Sequence, residues 1–222
     1  MTPPIRVVRH ARARGYRLSV DPRDGSVRLT IPARAVERTA LQWAERQRAW
    51  IDAQSAAVPP RTPFTPDAVI PVEGEMRRIA WRADTLRAPR LDEDRLTCGG
   101  PRDGLELRIE RWLKRHALAV LRDETMACAA RAGVTVPRVG IGDPRSRWGS
   151  CASSGIIRYS WRLILAPAFV RRATVAHEVA HRVHMNHGPE FHALAKKLLG
   201  EDPAPAHAWL RSHGASLHRY GG

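Results

Sequence analysis

Long apolar runs are missing from this chain of 222 residues. No stretch approaches the roughly 18 consecutive apolar residues of a membrane-spanning helix. The opening residues, Met1-Thr2-Pro3-Pro4-Ile5-Arg6, lack the apolar core of a secretory signal. Cysteine is scarce. Cys98, Cys128 and Cys151 stand far apart, with no C-x-x-C pair. That spacing suggests neither a thiolate zinc site nor a disulfide scaffold, and the low odd count suits a reducing compartment. The expectation is a soluble, cytoplasmic protein with no membrane partner. Lysine is also rare: Lys114, Lys196 and Lys197 are the only lysines among 37 basic residues.

What the chain does have is arginine, giving a net charge of +15. Such a charge favours polyanions, nucleic acid among them. Codon usage alone can also produce an arginine bias, and the basic residues are scattered rather than gathered in a tail. The 43% hydrophobic content is enough for one large domain or two small ones.

Tyr16 to Val20 and Val27 to Ile31 alternate apolar and polar residues around the turn-forming Asp21-Pro22-Arg23-Asp24-Gly25. Residues 5–31 therefore read as a hairpin. Val36, Ala40, Trp43, Ala44, Trp50 and Ile51 recur at near-helical spacing and predict one amphipathic helix over 34–54. Residues 58–67 hold four prolines and read as a connection. Short strands are expected over 68–97, with a break at Cys98-Gly99-Gly100-Pro101 that sets the expected boundary between regions 1–99 and 100–222.

Beyond that break the periodicity predicts a long helix over 104–132 ended by Gly133, then a strand over 134–141. Two further strands are expected at 147–151 and 156–163. Helices are expected from Pro167 to about His184, from Pro189 to Gly200, and from Pro203 to Ser216.

The chemistry concentrates in His177-Glu178-Val179-Ala180-His181, where five of the ten histidines fall between 177 and 192. On a helix, His177 and His181 lie one turn apart on one face and can bind one metal ion. Glu178 sits about 100° round the helix, placed to act as base on a metal-bound water without displacing the histidines. A catalytic zinc ion takes three protein ligands plus water. His184 is about 10.5 Å along the axis from His177, too far for the same ion. His187 follows His181 by six residues, flanked by the breakers Asn186 and Gly188-Pro189, and is the favoured third ligand. His192 and Glu201 remain alternatives. Tyr159, His184 and His218 are the polar candidates for stabilising an oxyanion.

Four motifs stand in order: Arg147-Trp148-Gly149-Ser150-Cys151, Tyr159-Ser160-Trp161-Arg162-Leu163, His177-Glu178-Val179-Ala180-His181 and Asn186-His187-Gly188-Pro189-Glu190-Phe191. Together they resemble the YgjP-type metal-dependent hydrolases, relatives of the SprT-like and WLM metallopeptidases. The likeness extends to the arginine-rich hairpin and Trp50-Ile51. Ser160, Gly188 and His192 depart from the Asn, Ser and Trp of that pattern.

The resemblance implies an α+β fold. Its zincin-like catalytic domain would have antiparallel strands packed on the H-E-x-x-H helix, preceded by a smaller strand-rich N-terminal region. It implies a Zn2+ ion on His177, His181 and His187, Glu178 as general base, and a protein or peptide substrate. The SprT-like relationship also raises a nucleic-acid-associated alternative. Trp148 and Trp161 are expected in the core, Arg147 and Arg162 as supports of the strands, and Cys151 as a small buried side chain.

Overall fold

The computed structural model describes residues 4–21, 24–58 and 60–221. Residues 1–3, Pro22 and Arg23 of the expected turn, Pro59 of the proline-rich connection, and Gly222 lie outside them. Two compact units part at Arg61/Thr62, within that connection and not at the Cys98–Pro101 break.

The N-terminal unit carries strands β1 (Ile5–His10), β2 (Arg17–Val20) and β3 (Val27–Pro32), and helices α1 (Glu37–Arg46) and α2 (Arg48–Ala56). β2 and β3 form the expected antiparallel pair, while β1 adds a third strand parallel to β3. Along β3, Val27, Leu29 and Ile31 are buried and Arg28 is exposed, as period-two alternation demands. Leu29 and Ile31 pack with Ala40 and Ala44 of α1 in a core of their own. The single helix expected over 34–54 is two, because Gln47 leaves helical geometry at φ −95° and ψ 15°. Its N–H bonds to the Ala44 carbonyl at 2.9 Å, a tight turn that ends α1.

The larger unit opens with β4 (Val69–Val72), β5 (Glu75–Arg82), β6 (Arg90–Leu91) and β7 (Arg95–Gly99), ordered β4-β5-β7-β6. Helix α3 (Leu105–Ala132) follows, ended by Gly133 at φ 65°. Ile70, Val72, Ile79, Leu96 and Cys98 from this sheet share one core with Leu105, Ile109 and Leu113 of α3. That shared core is why strands expected with the N-terminal region belong with the helices.

A second sheet has the order β8-β10-β9, from β8 (Val139–Gly142), β9 (Gly149–Cys151) and β10 (Ile157–Ser160). It is mixed, not purely antiparallel: β10 runs antiparallel to β9 and parallel to β8. β8 begins later than the alternation of Val134 and Val136 predicts, since Pro137 has no N–H to give a ladder.

The strand expected to reach Leu163 stops at Ser160, and Trp161–Leu165 forms a 3-10 turn. The Arg162 N–H donates to Ser160 Oγ at 3.3 Å and bends the chain there. Helices α4 (Ala168–Ala180), α5 (Pro189–Leu199) and α6 (Ala204–Leu217) complete the unit, for a mixed α+β chain. Among the described residues, no helix is long and apolar enough to cross a membrane.

Arg162 is buried to 0% exposure and holds the second sheet to the C-terminal residues. It donates to both Asp143 carboxylate oxygens at 2.8 and 3.1 Å, and to the carbonyls of Leu217 and Tyr220 at 3.0 and 2.7 Å. Its guanidinium also lies over the Trp161 ring, 4.6 Å from the centroid. Arg162 is a support, and Trp161 is core.

Candidate metal centre

α4 presents His177 one turn before its end and closes on His181 as C-cap. The helix stops short of His184 because the N–H groups of Arg182 and Val183 bond back only three residues, to Val179 and Ala180. These tight turns fold the chain back before Pro189 starts α5, and this return carries His187 to the end of α4.

The three imidazoles meet. One nitrogen from each of His177, His181 and His187 lies within 4.8 Å of the others. His177 Nε2 and His187 Nε2 are 3.2 Å apart. Bonds of about 2.0–2.1 Å to one tetrahedral ion set two nitrogens roughly 3.3 Å apart, so the spacing fits a shared ion.

Two features orient the rings. His181 Nδ1 lies 3.1 Å from the His184 carbonyl, which accepts the Nδ1–H and leaves Nε2 for a metal. Phe191, at 0% exposure, forms a common floor, with its centroid 4.9, 4.5 and 4.7 Å from the rings of His177, His181 and His187. Burial, then the neighbouring His181 and His187, hold the His177 pKa down to about 4. Burial also lowers that of His181. Both are therefore neutral near pH 7, the state that binds metal.

Glu178 is 5% exposed on the same helix. Burial raises its pKa to about 7, against the lowering pull of Arg147 and a backbone hydrogen bond from Cys151. Its carboxylate nests on β9. A Cβ built on Gly149 would fall 2.4 Å from Glu178 Oε1 and 2.6 Å from its Cγ. Only glycine leaves this room, and no periodicity in the sequence signals it.

Of the other residues singled out from the sequence, Tyr159 lies in the core at 1% exposure with its hydroxyl 3.0 Å from Thr125 Oγ1. Burial drives its pKa far up. That placement removes it as an oxyanion-stabilising group. His184 has its ring near Glu190, with 3.7 Å between Nδ1 and Oε2, and buried His218 packs on Trp148 at 5.5 Å. His192 stands outside the triad, its ring 6.3 Å from that of His187, and Glu201 pairs with Arg172 at 3.9 Å. Cys151 is half-buried on β9. Phe191 read from its spacing only as part of an apolar helix face; its floor role appears with the fold. A cleft beside His177 is lined by Ala173, Phe191, His192, Ala195, Lys196 and His207, among others.

Three convergent imidazoles next to a buried carboxylate form a group that could hold a metal ion. The sequence pattern of the YgjP-like, metallopeptidase domain matches residues 16–213, and the chain belongs to that family. No curated protein and no solved structure matches it significantly. The family is one of metal-dependent peptidases, and the His177–His181–His187 group is where an ion can be held.

Proposed function

We propose that the chain is a zinc-dependent peptidase of zincin type, acting on protein or peptide substrates in the cytoplasm. His177, His181 and His187 are the ligands and Glu178 is the general base. The assignment rests on one observation: three imidazoles gathered beside Glu178, a buried carboxylate on the helix that carries His177. An all-nitrogen set suits zinc better than magnesium or calcium, and three protein ligands leave one tetrahedral position open.

Zinc bound there would supply Lewis acidity and make water acidic near neutral pH. The rest is the work of the protein. Glu178, raised to about 7 by burial, is basic enough to take a proton from the attacking water and then to deliver it to the leaving amine. The His184 carbonyl and Phe191 keep the ligand rings in place, so little reorganisation accompanies the reaction. Among the described residues β9 is an edge strand, paired with β10 alone, and it carries Gly149 against Glu178. A free edge beside the base suits an extended peptide added as a further strand. The three free thiols suit a reducing compartment.

Purified protein is expected to carry stoichiometric zinc, and Glu178→Gln to keep that zinc while losing cleavage of a peptide library. Cleavage by the variant at the parent's rate removes Glu178 as base. A zinc-loaded parent that cuts nothing in the library removes the peptidase assignment.

A further inference from the structure

Residues 1–61 hold twelve arginines and no lysine, against five carboxylates. Codon usage explains the number but not the arrangement. β1, β2 and β3 each place an arginine on the sheet face opposite the α1 core. In register, Arg6 lies beside Arg28, which lies beside Ser19; Val8 lies beside Thr30, which lies beside Arg17. Arg6, Arg17 and Arg28 are all exposed.

Arg6 and Arg28 are therefore direct cross-strand neighbours, with Arg17 diagonal to Arg28. Like charges so placed destabilise a sheet unless something neutralises them. Among the described residues, no carboxylate pairs with any of the three. Arg9, on the other face, is tied instead to the carbonyls of Ala33 and Ala35 at 2.9 Å and to Glu37 at 3.5 Å.

The rest of the face narrows the partner. It has no Phe, Tyr or Trp on which unpaired bases could stack. Tyr16 and Trp43 lie in the core side of this unit, 5.6 Å apart. Nor does the face carry a large exposed apolar side chain that would anchor it in a bilayer. What it offers is guanidinium groups at strand spacing, the donors suited to phosphate oxygens. We propose that this face binds the phosphate backbone of double-stranded nucleic acid without reading its sequence. The exposed Arg12 and Arg14, in the loop joining β1 to β2, extend it at one end.

The test is fluorescence anisotropy of the full chain with short duplexes of two unrelated sequences, over a series of salt concentrations. The logarithm of affinity should fall linearly with that of salt, equally for both duplexes. Combined Arg6→Gln, Arg17→Gln and Arg28→Gln should lower the slope by about three. A charge-matched control at the exposed Arg111, Arg115 and Arg122 of α3 should keep it.

The triple sheet variant should unfold at or above the parent's temperature, since repulsion is relieved, and should hold the same amount of zinc. The proposal is overturned by a parental slope in the sheet variant, or by an equal loss in the α3 control. It is also overturned by no binding at low salt, or by tighter binding to phosphatidylserine vesicles than to either duplex.

Discussion

The Cβ that Gly149 lacks would lie 2.4 Å from Glu178 Oε1, so strand β9 and the Glu178 carboxylate of α4 touch through a missing side chain. Gly149→Ala must displace the carboxylate. Its expected effect is a fall in turnover approaching that of losing the base, about 10²–10⁴-fold, with zinc content unchanged. Adding Glu178→Gln to Gly149→Ala should cost little more, because both changes remove one function. Turnover measured beside elemental analysis checks this, and additive losses in the double variant would separate the two residues.

The buried Glu178 also sets a pH dependence in the metal-free protein. Its folded pKa of about 7 lies above the ordinary 4.5, so the folded chain keeps this proton where the unfolded chain has lost it. Its contribution to stability therefore declines as pH rises from 4.5 to 7 and is constant beyond. His177, lowered to about 4, works in the opposite sense over much of the same window, so the parent's own curve mixes the two. The difference between parent and Glu178→Gln isolates the carboxylate. With chelator present, the variant should gain on the parent by up to about 3 kcal/mol above pH 7 and by little below pH 4.5. Urea unfolding across that range reads it. Parallel curves would mean a well-solvated carboxylate.

Ligand assignment has its own test. His187→Ala should reduce zinc retention during dialysis at least tenfold, as should His177→Ala or His181→Ala, while His192→Ala should retain zinc like the parent. Loss of zinc in His192→Ala with retention in His187→Ala would exchange their roles.

Arg162 predicts stability instead of catalysis. Asp143→Ala leaves a wholly buried guanidinium without its carboxylate, and the expected loss is about 3 kcal/mol in chemical unfolding. Arg162→Lys should not restore stability, because an ammonium cannot make the two-pronged contact with Asp143 while reaching Leu217 and Tyr220.

Local spacing made the gathering of the three histidines legible. His177 and His181 share a face because a helix has 3.6 residues per turn, and Asn186 with Gly188-Pro189 signalled the return that carries His187. The long α3 and its Gly133 stop were equally local. What escaped depends on partners distant in the chain. The parallel pairing of β1 with β3 and of β8 with β10 leaves no mark in either strand alone. Tyr159 looks like any polar candidate until Thr125, on another element, takes its hydroxyl. Gly149 reads only as one residue of the strand expected at 147–151, and the carboxylate packed on it explains the absence of a side chain. The division at Arg61/Thr62 was written in the prolines, but which core the strands over 69–99 join is decided by α3.

The tight turns between α4 and α5 have a further consequence for the life of the protein in a cell. His177 stands on one side of them and His187 on the other, so a single ion would staple the segment 182–186 into a closed loop. Val183, Met185 and Asn186 of that loop are exposed, as a protease needs. Without the staple the loop opens more readily. A metal-free chain would then be nicked there sooner than a zinc-loaded one, which limited proteolysis with and without chelator checks.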